Sequence, residues 1–363
     1  MNKEITVDYE IVNAATLGGA ILAGGEGGSI EYGRKLGRLA LELGSPRIID
    51  INDLPDNGIL LGVSVVGSPA AKKRYLEPVY HIRSVEKFIE YTGMNVAGLI
   101  TNANGGTSTV NGWLQSVALG LPVVDAACNG RNSPTGVYGS MGLHSISDYE
   151  SIQMGVGGNP RTNSYVEVLA KGTLLRATNM IRQGAVQAEG ALAVARNPVL
   201  VSYAKMNAAV GGIRSAIMLG MELLSKLDDA KAMVDCVCSF LNGDVVAQGK
   251  VSKFTLSTQG GFDSGVVIVG EGTDRCTISF LNQYMTLNKG GKSIATFPDL
   301  IIILSESDGL PIGSSQLEER QDVIVIVVPK EQLILGAEID SSAVMEQIQQ
   351  MITSDACMFV SDR

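Results

Sequence analysis

An apolar run that breaks abruptly into polar residues is the feature of this chain that most constrains its fold. Residues 121–124 read Leu-Pro-Val-Val, which is typical of a buried strand, and residues 125–134 then bring an acid, a thiol, a glycine and an arginine. In open α/β sheets, ligands bind just outside the carboxyl ends of the strands. We therefore predict a strand that ends at a functional site, against the alternative of an ordinary connecting turn.

Two glycine-rich segments, residues 23–29 and 101–108, are predicted to converge with residues 125–134 at one end of a sheet. The first precedes a predicted helix at 30–43, where backbone N–H groups and the helix dipole favour an anionic or carbonyl ligand. It follows a helix rather than a strand and lacks the G-x-G-x-x-G spacing, so no nucleotide is expected. We expect no cofactor of another kind, and ordinary turns remain the alternative for all three loops.

Strand and helix patterns alternate along the first half of the chain. Predicted strands lie at 47–51, 59–66, 96–101 and 121–124, and predicted helices lie at 8–22, 30–43, 85–92 and 110–119. This alternation predicts an α/β N-terminal domain with a parallel or mixed sheet, to which we assign residues 1–170.

The second half, residues 171–363, is predicted to be a helical segment followed by a β-rich C-terminal domain. Helical patterns cover 166–180, 182–195 and 211–227, and a last helix is predicted at 342–352. Short β runs at regular spacing fill residues 245–295, and strong buried strands follow at 300–305 and 323–328.

Composition narrows the partners that this chain can have. A net charge of −9 and the lack of basic runs argue against nucleic acid as a partner, and no apolar run is long enough to span a membrane. The first eight residues lack a signal-peptide pattern, and five scattered cysteines are typical of free thiols, so we expect a cytoplasmic protein. The apolar helix at 211–227 predicts a homo-oligomer, unless that helix is internal.

Four residues are candidates for catalysis. Asp125 is a candidate general base, although an acid at a strand end also caps turns. Arg131 is a candidate for binding a carboxylate, or for an ion pair with Asp125. Cys128 is a candidate nucleophile, for which His144 is a possible partner, and a small buried residue is its alternative. Glu26 is the remaining acid of the first glycine-rich segment, with solvated surface as the alternative.

Asparagines and glycines of the three loops are candidates for substrate binding. Asparagine offers both a donor and an acceptor to an amide or urea-like ring, and glycine lets backbone N–H groups approach a ligand closely. The candidates are Asn102, Asn104, Asn129 and Asn132, together with Gly24, Gly25, Gly27, Gly28, Gly105, Gly106 and Gly130. Two histidines and five unclustered cysteines predict no metal centre built from those residues, which leaves Asp125 with Glu26 as a carboxylate alternative.

A set of short motifs runs in order along nearly the whole chain. In the first half they are Tyr32-Gly33-Arg34, Ile48-Ile49-Asp50, Leu54-Pro55-Asp56, Gly105-Gly106, Pro122-Val123-Val124-Asp125-Ala126, Gly130-Arg131 and Pro134. In the second half they are Gly260-Gly261-Phe262, Phe280-Leu281-Asn282, Phe297-Pro298-Asp299-Leu300-Ile301 and Gly309-Leu310-Pro311-Ile312. Together they resemble the S-methyl thiohydantoin desulfurase family, whose members often accompany hydantoinase-type enzymes.

The resemblance implies a hydrolase that acts on a small cyclic amide or thioimidate, an S-methyl thiohydantoin or hydantoin-like ring. It also implies a small-molecule substrate and a hydantoinase-type partner protein. The family pattern places acids where this chain has Ser29, Ala103 and Ala127. Two hypotheses therefore stand beside the hydrolase: a non-catalytic ligand-binding protein or hydantoinase subunit that keeps the fold, and a metal-dependent enzyme that uses Asp125 with Glu26.

Overall fold

The structure is a computed structural model that describes residues 4–133 and 135–339. Its helices are α1 (Tyr9–Leu22), α2 (Ile30–Leu43), α3 (Pro78–Thr92), α4 (Trp113–Leu119), α5 (Leu174–Gln187), α6 (Val201–Asn207), α7 (Gly212–Leu224) and α8 (Ala230–Leu241). Its first eight strands are β1 (Ile48–Ile49), β2 (Ile59–Gly67), β3 (Val96–Ala103), β4 (Val123–Asn129), β5 (Glu150–Gly157), β6 (Val166–Thr173), β7 (Ala191–Leu200) and β8 (Ala209–Val210). The later strands are β9 (Asp244–Gln259), β10 (Phe262–Val269), β11 (Cys276–Leu281), β12 (Tyr284–Lys289), β13 (Lys292–Thr296), β14 (Leu300–Ser305) and β15 (Asp322–Val328).

The first sheet is mixed, as the alternating pattern predicts. Its order is β1-β4-β3-β2-β7-β5-β6, with β8 paired to β4. Strands β1, β4, β3 and β2 are parallel, whereas β7, β5, β6 and β8 join antiparallel. The parallel strands β2, β3 and β4 consequently end at the same edge, where the predicted loops begin.

Helices cover both faces of the first sheet because its central strands are apolar on both sides. In β2, Leu61 and Val63 face a core shared with α1, α2, α3, α4 and α7. Leu60 and Val66 point the other way, toward α6 and α5 respectively. Alternate side chains of a strand leave opposite faces, so a run that is apolar throughout requires cover on both.

The second sheet is antiparallel and confirms the predicted β-rich region. Its order is β13-β12-β11-β10-β9-β15-β14. The long strand β9 pairs with β10 on one side and with β15 on the other, which lets the sheet curl around one core. Val251, Val267, Ile303 and Val325 come from both halves of the sheet and meet in that core.

Helices α1 and α7 lie between the two sheets. Leu17 and Ile21 of α1 and Leu219 and Leu223 of α7 pack in one cluster with α8 and with the apolar side of β14 and β15. Much of the apolar surface of α7 is thus buried inside one chain, whereas Met218 and Met221 stay exposed. A homo-oligomer stays a prediction.

Two helices predicted from the sequence are wrong in part. The segment 166–180 is strand β6 followed by the start of α5, and the segment 182–195 is the end of α5 followed by the first half of β7. Residues 191–195 read Ala-Leu-Ala-Val-Ala, which suits a helix by propensity, but all five are buried between two strands. Burial in a sheet here overrides the intrinsic preference.

Other differences concern elements that the sequence patterns did not reveal. Strand β5 and helix α8 were not predicted, and α3 begins at Pro78 rather than at 85. Cys236 and Cys238 lie on α8. The helix predicted at 342–352 lies outside the described residues.

Candidate functional site

The first two glycine-rich segments contact each other directly. The backbone N–H groups of Thr107 and Ser108 both donate to the carbonyl of Gly27, at 3.0 Å each. Gly27 has φ +75°, and a Cβ there would lie 2.6 Å from Cα of Gly105. Only glycine allows this conformation together with this close approach, so the two glycines serve loop-to-loop packing.

The third loop joins them at the ends of β3 and β4. Ala103 pairs with Asn129 in the sheet, and Nδ2 of Asn104 donates to the carbonyls of Gly130 and Gly212 at 3.0 Å each. The three segments therefore lie side by side at the carboxyl edge of the parallel strands. Asn104 is fully engaged in holding this arrangement.

A polar cleft of about 110 Å³ opens where these segments face the second sheet. Its walls include Glu26, Gly27, Gly28, Ser64, Asn102, Thr107, Ser108, Asn132, Ser133, Thr135, Gly136, Arg74, Arg182, Arg196 and Asn282. Asn282 belongs to the turn between β11 and β12, so both sheets contribute to the cleft. This volume lies below the range of about 300–1,000 Å³ that is typical of ligand sites, so the cleft suits only a very small molecule.

Glu26 is the carboxyl group of the cleft wall. Its side chain is 4% exposed and accepts a hydrogen bond from the backbone N–H of Ser314 in the second domain. Burial raises the pKa of Glu26 to about 7, opposed by the Ser314 hydrogen bond and assisted by the nearby charge of Asp263. At neutral pH this carboxyl group exists in both protonation states, which is what proton transfer needs.

Asp263 is a fully buried acid that sequence reasoning missed. It accepts hydrogen bonds from Oγ of Ser68 at 2.6 Å, the backbone N–H of Ala70 at 2.9 Å and Oγ1 of Thr258 at 2.7 Å. Its own N–H donates to Oδ1 of Asn282 at 2.9 Å. Asp263 thus ties the loop after β2 to the second sheet below the cleft.

Three arginines in the cleft wall were also missed. Arg196 projects from β7, and Arg182 projects from α5 and stacks over the ring of Phe262 with its Cζ 3.9 Å from the centroid. Arg74 stands exposed at the rim. Arg196 directly follows the apolar run 191–195, and this position is a signal that could have identified it. Burying a charge is costly unless the charge is paired or has a function.

Asp125 lies outside the cleft wall, which corrects its expected role as a general base. Its carboxylate accepts from the backbone N–H of Arg214 at 2.9 Å and pairs with Nε of the same residue at 3.0 Å. It therefore caps the first turn of α7, which is the structural role that the sequence allowed for Asp125 as an alternative to catalysis. The expected ion pair between Asp125 and Arg131 is replaced by this one.

Arg131 and Cys128 are also engaged in packing. Arg131 is buried under the ring of Phe297 and donates to the carbonyls of Pro298 and Asp299. Burial raises the pKa of Cys128 to about 12, so its thiol stays protonated and is a poor nucleophile at neutral pH. His144 stacks edge-on against Tyr138, and among the described residues it makes no hydrogen bond to Cys128.

The remaining candidates divide between the cleft and the packing of the loops. Asn102, Asn132, Gly27 and Gly28 line the cleft. The others form contacts within the protein. Asn129 donates to the carbonyl of Arg131 and accepts from the N–H of Gly336. Four glycines pack against backbone: Gly24 against Ile301, Gly25 against Ile312, Gly106 against Gly28, and Gly130 against Ile334. Most of the glycines are therefore needed for close packing rather than for a ligand.

The structure gives no support to a carboxylate metal site formed by Asp125 with Glu26. The two acids have different partners, Arg214 for Asp125 and Ser314 for Glu26. Within residues 4–133 and 135–339, no group of three or more His, Cys, Asp or Glu side chains is arranged to hold a metal ion. In the same ranges, no helix has the length and apolar character needed to cross a bilayer.

The fold and the cleft define a two-domain protein with an α/β layer, a curled β sheet and a buried polar site at their junction. Models of two domains match the chain: "S-Me-THD-like, N-terminal domain" over residues 10–159 and "S-Me-THD-like, C-terminal domain" over residues 173–338. The chain belongs to the S-Me-THD-like family, as the resemblance of its motifs predicts.

A solved structure shares this fold across both domains. A protein from Chromobacterium violaceum, known from an X-ray structure of a structural genomics consortium, is similar with a TM-score of 0.70 and 19% sequence identity. The similarity covers 96% of this chain and 97% of that one. A search of curated proteins found no match.

Proposed function

We propose that this protein is a hydrolase of a small cyclic thioimidate of the S-methyl thiohydantoin type, with the ring bound in the cleft. Membership of the S-Me-THD-like family supports a thiohydantoin-related substrate. The observation that carries the reaction is Glu26, a buried carboxyl group in the cleft wall whose pKa of about 7 suits a general base at neutral pH.

The reaction requires one water molecule and one proton relay. Glu26 in its ionised form accepts a proton from water as the water oxygen bonds to the ring carbon that carries the S-methyl group. The carbon–sulfur bond then breaks, and the proton held by Glu26 moves to the sulfur, which leaves as methanethiol. The second proton of the water passes to the ring nitrogen, so the product is the hydantoin and the carboxylate is restored.

The neighbourhood of Glu26 supports the binding of such a ring. Asn102 and Asn132 line the cleft and offer amide donors and acceptors to a cyclic urea. Oγ of Ser64, which is 6% exposed and lines the cleft, has no hydrogen-bond partner among the described residues. A buried hydroxyl of this kind is stabilised when a ligand supplies the missing partner.

The test is release of methanethiol from S-methyl thiohydantoin, measured by headspace gas chromatography. We expect turnover by the wild-type protein, with kcat/KM rising through about pH 7 because Glu26 must be ionised to act as a base. Glu26→Gln should lower kcat by about a hundredfold or more, which is typical for loss of a general base. Two controls, Cys128→Ala and Glu271→Gln, should keep kcat, since Cys128 lies outside the cleft wall and Glu271 is exposed. Turnover unaffected by Glu26→Gln would refute the assignment of the base.

The second candidate is a ligand-binding protein without turnover. It is favoured by Ala103 and Ala127, which are buried in β3 and β4 where the family pattern has acids. Ser29, the third such position, caps α2 by accepting a hydrogen bond from the N–H of Tyr32 at 3.1 Å. Calorimetric binding of the thiohydantoin without release of methanethiol would select this alternative.

A further inference from the structure

The arginines of the cleft are poorly balanced by acids. Arg196 is 2% exposed and Arg182 is 7% exposed, and both line the cleft. Among the described residues, the arginines that form ion pairs are Arg47, Arg83 and Arg214. Neither Arg182 nor Arg196 is one of them. A buried cation without a counter-ion is costly, so a ligand that supplied the charge would be stabilised at this place.

The nearby acids balance these cations only in part. The charge of Asp263 raises the pKa of Arg182 against the larger opposing effect of burial, but Asp263 uses its hydrogen bonds on Ser68, Ala70 and Thr258. The lowering effect of burial on the pKa of Arg196 is opposed by Cys128 and Tyr149 instead, and neither is a carboxylate. Glu26 has a pKa of about 7 and is mostly uncharged in slightly acidic solution. The cleft is therefore a positive site in a chain whose formal net charge is −9. An excess of positive charge at a concave site attracts anions selectively.

The two buried guanidinium groups retain binding capacity. Arg196 donates to the carbonyl of Gly136, yet its Nε has no partner among the described residues. Arg182 uses Nη1 to donate to the carbonyl of Gly261 at 2.7 Å and is held flat against Phe262. Positioned guanidinium groups with donors to spare match the two oxygens of a carboxylate.

We infer that the ligand of the cleft carries a carboxylate substituent, which Arg182 and Arg196 bind while Arg74 at the rim attracts it. This inference rests on the proposed function in that it places the ring beside Glu26 and the acidic arm beside the arginines. It assigns to Arg182 and Arg196 the carboxylate binding that the sequence suggested for Arg131.

The test compares two probes of matched shape, hydantoin-5-acetic acid and hydantoin-5-acetamide, by isothermal titration calorimetry near pH 6. The acid should bind to the wild-type protein about tenfold tighter or more, which corresponds to about 1.4 kcal/mol. Arg182→Gln should reduce this preference to less than about threefold. The matched control is Arg176→Gln on the same helix, where the arginine is exposed and the preference should persist.

A second measurement keeps the inference testable if Arg182→Gln does not fold. Raising the sodium chloride concentration from about 0.05 M to about 0.5 M should weaken binding of the acid to the wild-type protein and leave that of the amide unchanged. Equal affinity for the two probes, or failure of both to bind, would overturn the inference.

The outcomes also separate this inference from the proposed function. Acid-selective binding without methanethiol release from any S-methylated ring would support the inference and refute the hydrolase. Methanethiol release at equal kcat/KM from neutral and acidic rings would support the hydrolase and overturn the inference.

Discussion

At the scale of single residues, Glu26 combines a position in the cleft wall with a cost in stability. It belongs to the first glycine-rich segment and contacts Ser314, and its burial raises its pKa from an ordinary value of 4.5 to about 7. The folded state therefore retains a proton that the unfolded state releases at lower pH. Consequently, the stability contributed by this group is present below about pH 4.5 and is lost as the pH rises through 7.

Glu26→Gln should therefore stabilise the protein at alkaline pH. Glutamine keeps an oxygen that accepts the Ser314 hydrogen bond and carries no charge to bury. The free energy of unfolding should rise by up to about 3 kcal/mol near pH 8, and the gain should shrink toward zero near pH 4.5. Urea denaturation at the two pH values measures this, with Glu271→Gln as the exposed control. A wild-type protein that is the more stable one near pH 8 would contradict the pKa assigned to Glu26.

The sequence predicted this site only in part, and the reason lies in long-range contacts. Glu26, Asn102 and Asn132 line the cleft, as their loops suggested. Asp125 sits at the end of an apolar run and resembles a catalytic acid, but Arg214, which occupies its carboxylate, lies 89 residues further along the chain. Asp263 reaches Ser68 across 195 residues. No local pattern indicates such partners.

At the scale of elements, the crossing of α1 and α7 depends on residues without side chains. A Cβ on Gly18 would lie 1.9 Å from the carbonyl oxygen of Ala216, and a Cβ on Gly220 would lie 1.9 Å from that of Ala14. The two helices therefore touch backbone to backbone at both positions. This close contact lets the pair fit in the layer between the sheets.

Gly220→Ala should destabilise the protein, although alanine normally favours a helix by about 0.5–1 kcal/mol over glycine. The added methyl group forces α1 and α7 apart, and such overpacking costs about 1–3 kcal/mol. The urea midpoint measures the loss. Met218→Ala, on the exposed side of α7, is the matched control and should unfold close to the wild-type midpoint. An increased midpoint for Gly220→Ala would show that the helices do not approach so closely.

The elements themselves could largely be predicted where their periodicity was strong. The helices that became α1 and α2 and the strands that became β2, β14 and β15 have clear patterns and lie close to their expected positions. The errors fall on β6 and β7. These strands are rich in alanine, leucine and valine, which are common in both helices and strands. Their strand conformation depends on neighbours that pair with them from distant parts of the chain.

At the scale of the whole molecule, the two sheets are joined by buried polar contacts beside the cleft. Glu26 of the first domain reaches Ser314 of the second, and Asp263 of the second domain reaches Ser68 and Ala70 of the first. The walls of the cleft depend on these contacts, so the position of the domains and the shape of the site are coupled.

Asp263→Asn should loosen this junction. The asparagine amide keeps one acceptor oxygen but places an N–H donor beside the groups that donate to Asp263. The free energy of unfolding should therefore fall by about 2 kcal/mol or more. Thermal and urea unfolding, followed by circular dichroism, measure the loss. Asp274→Asn serves as the control, because the side chain of Asp274 is 86% exposed and an ion pair at the surface, here with Lys289, contributes little. If the two variants lost equal stability, the buried network would have no special role.

The position of strand β7 limits where the gene for this protein can be divided into two working parts. It lies within the span matched by the model of the C-terminal domain, yet it fills the middle of the first sheet between β2 and β5. A gene cut between the two matched spans would leave the first product without a central strand and the second with a strand that has no sheet. A recombinant that joins halves from two relatives should therefore fold only where β7 of one half fits β2 and β5 of the other.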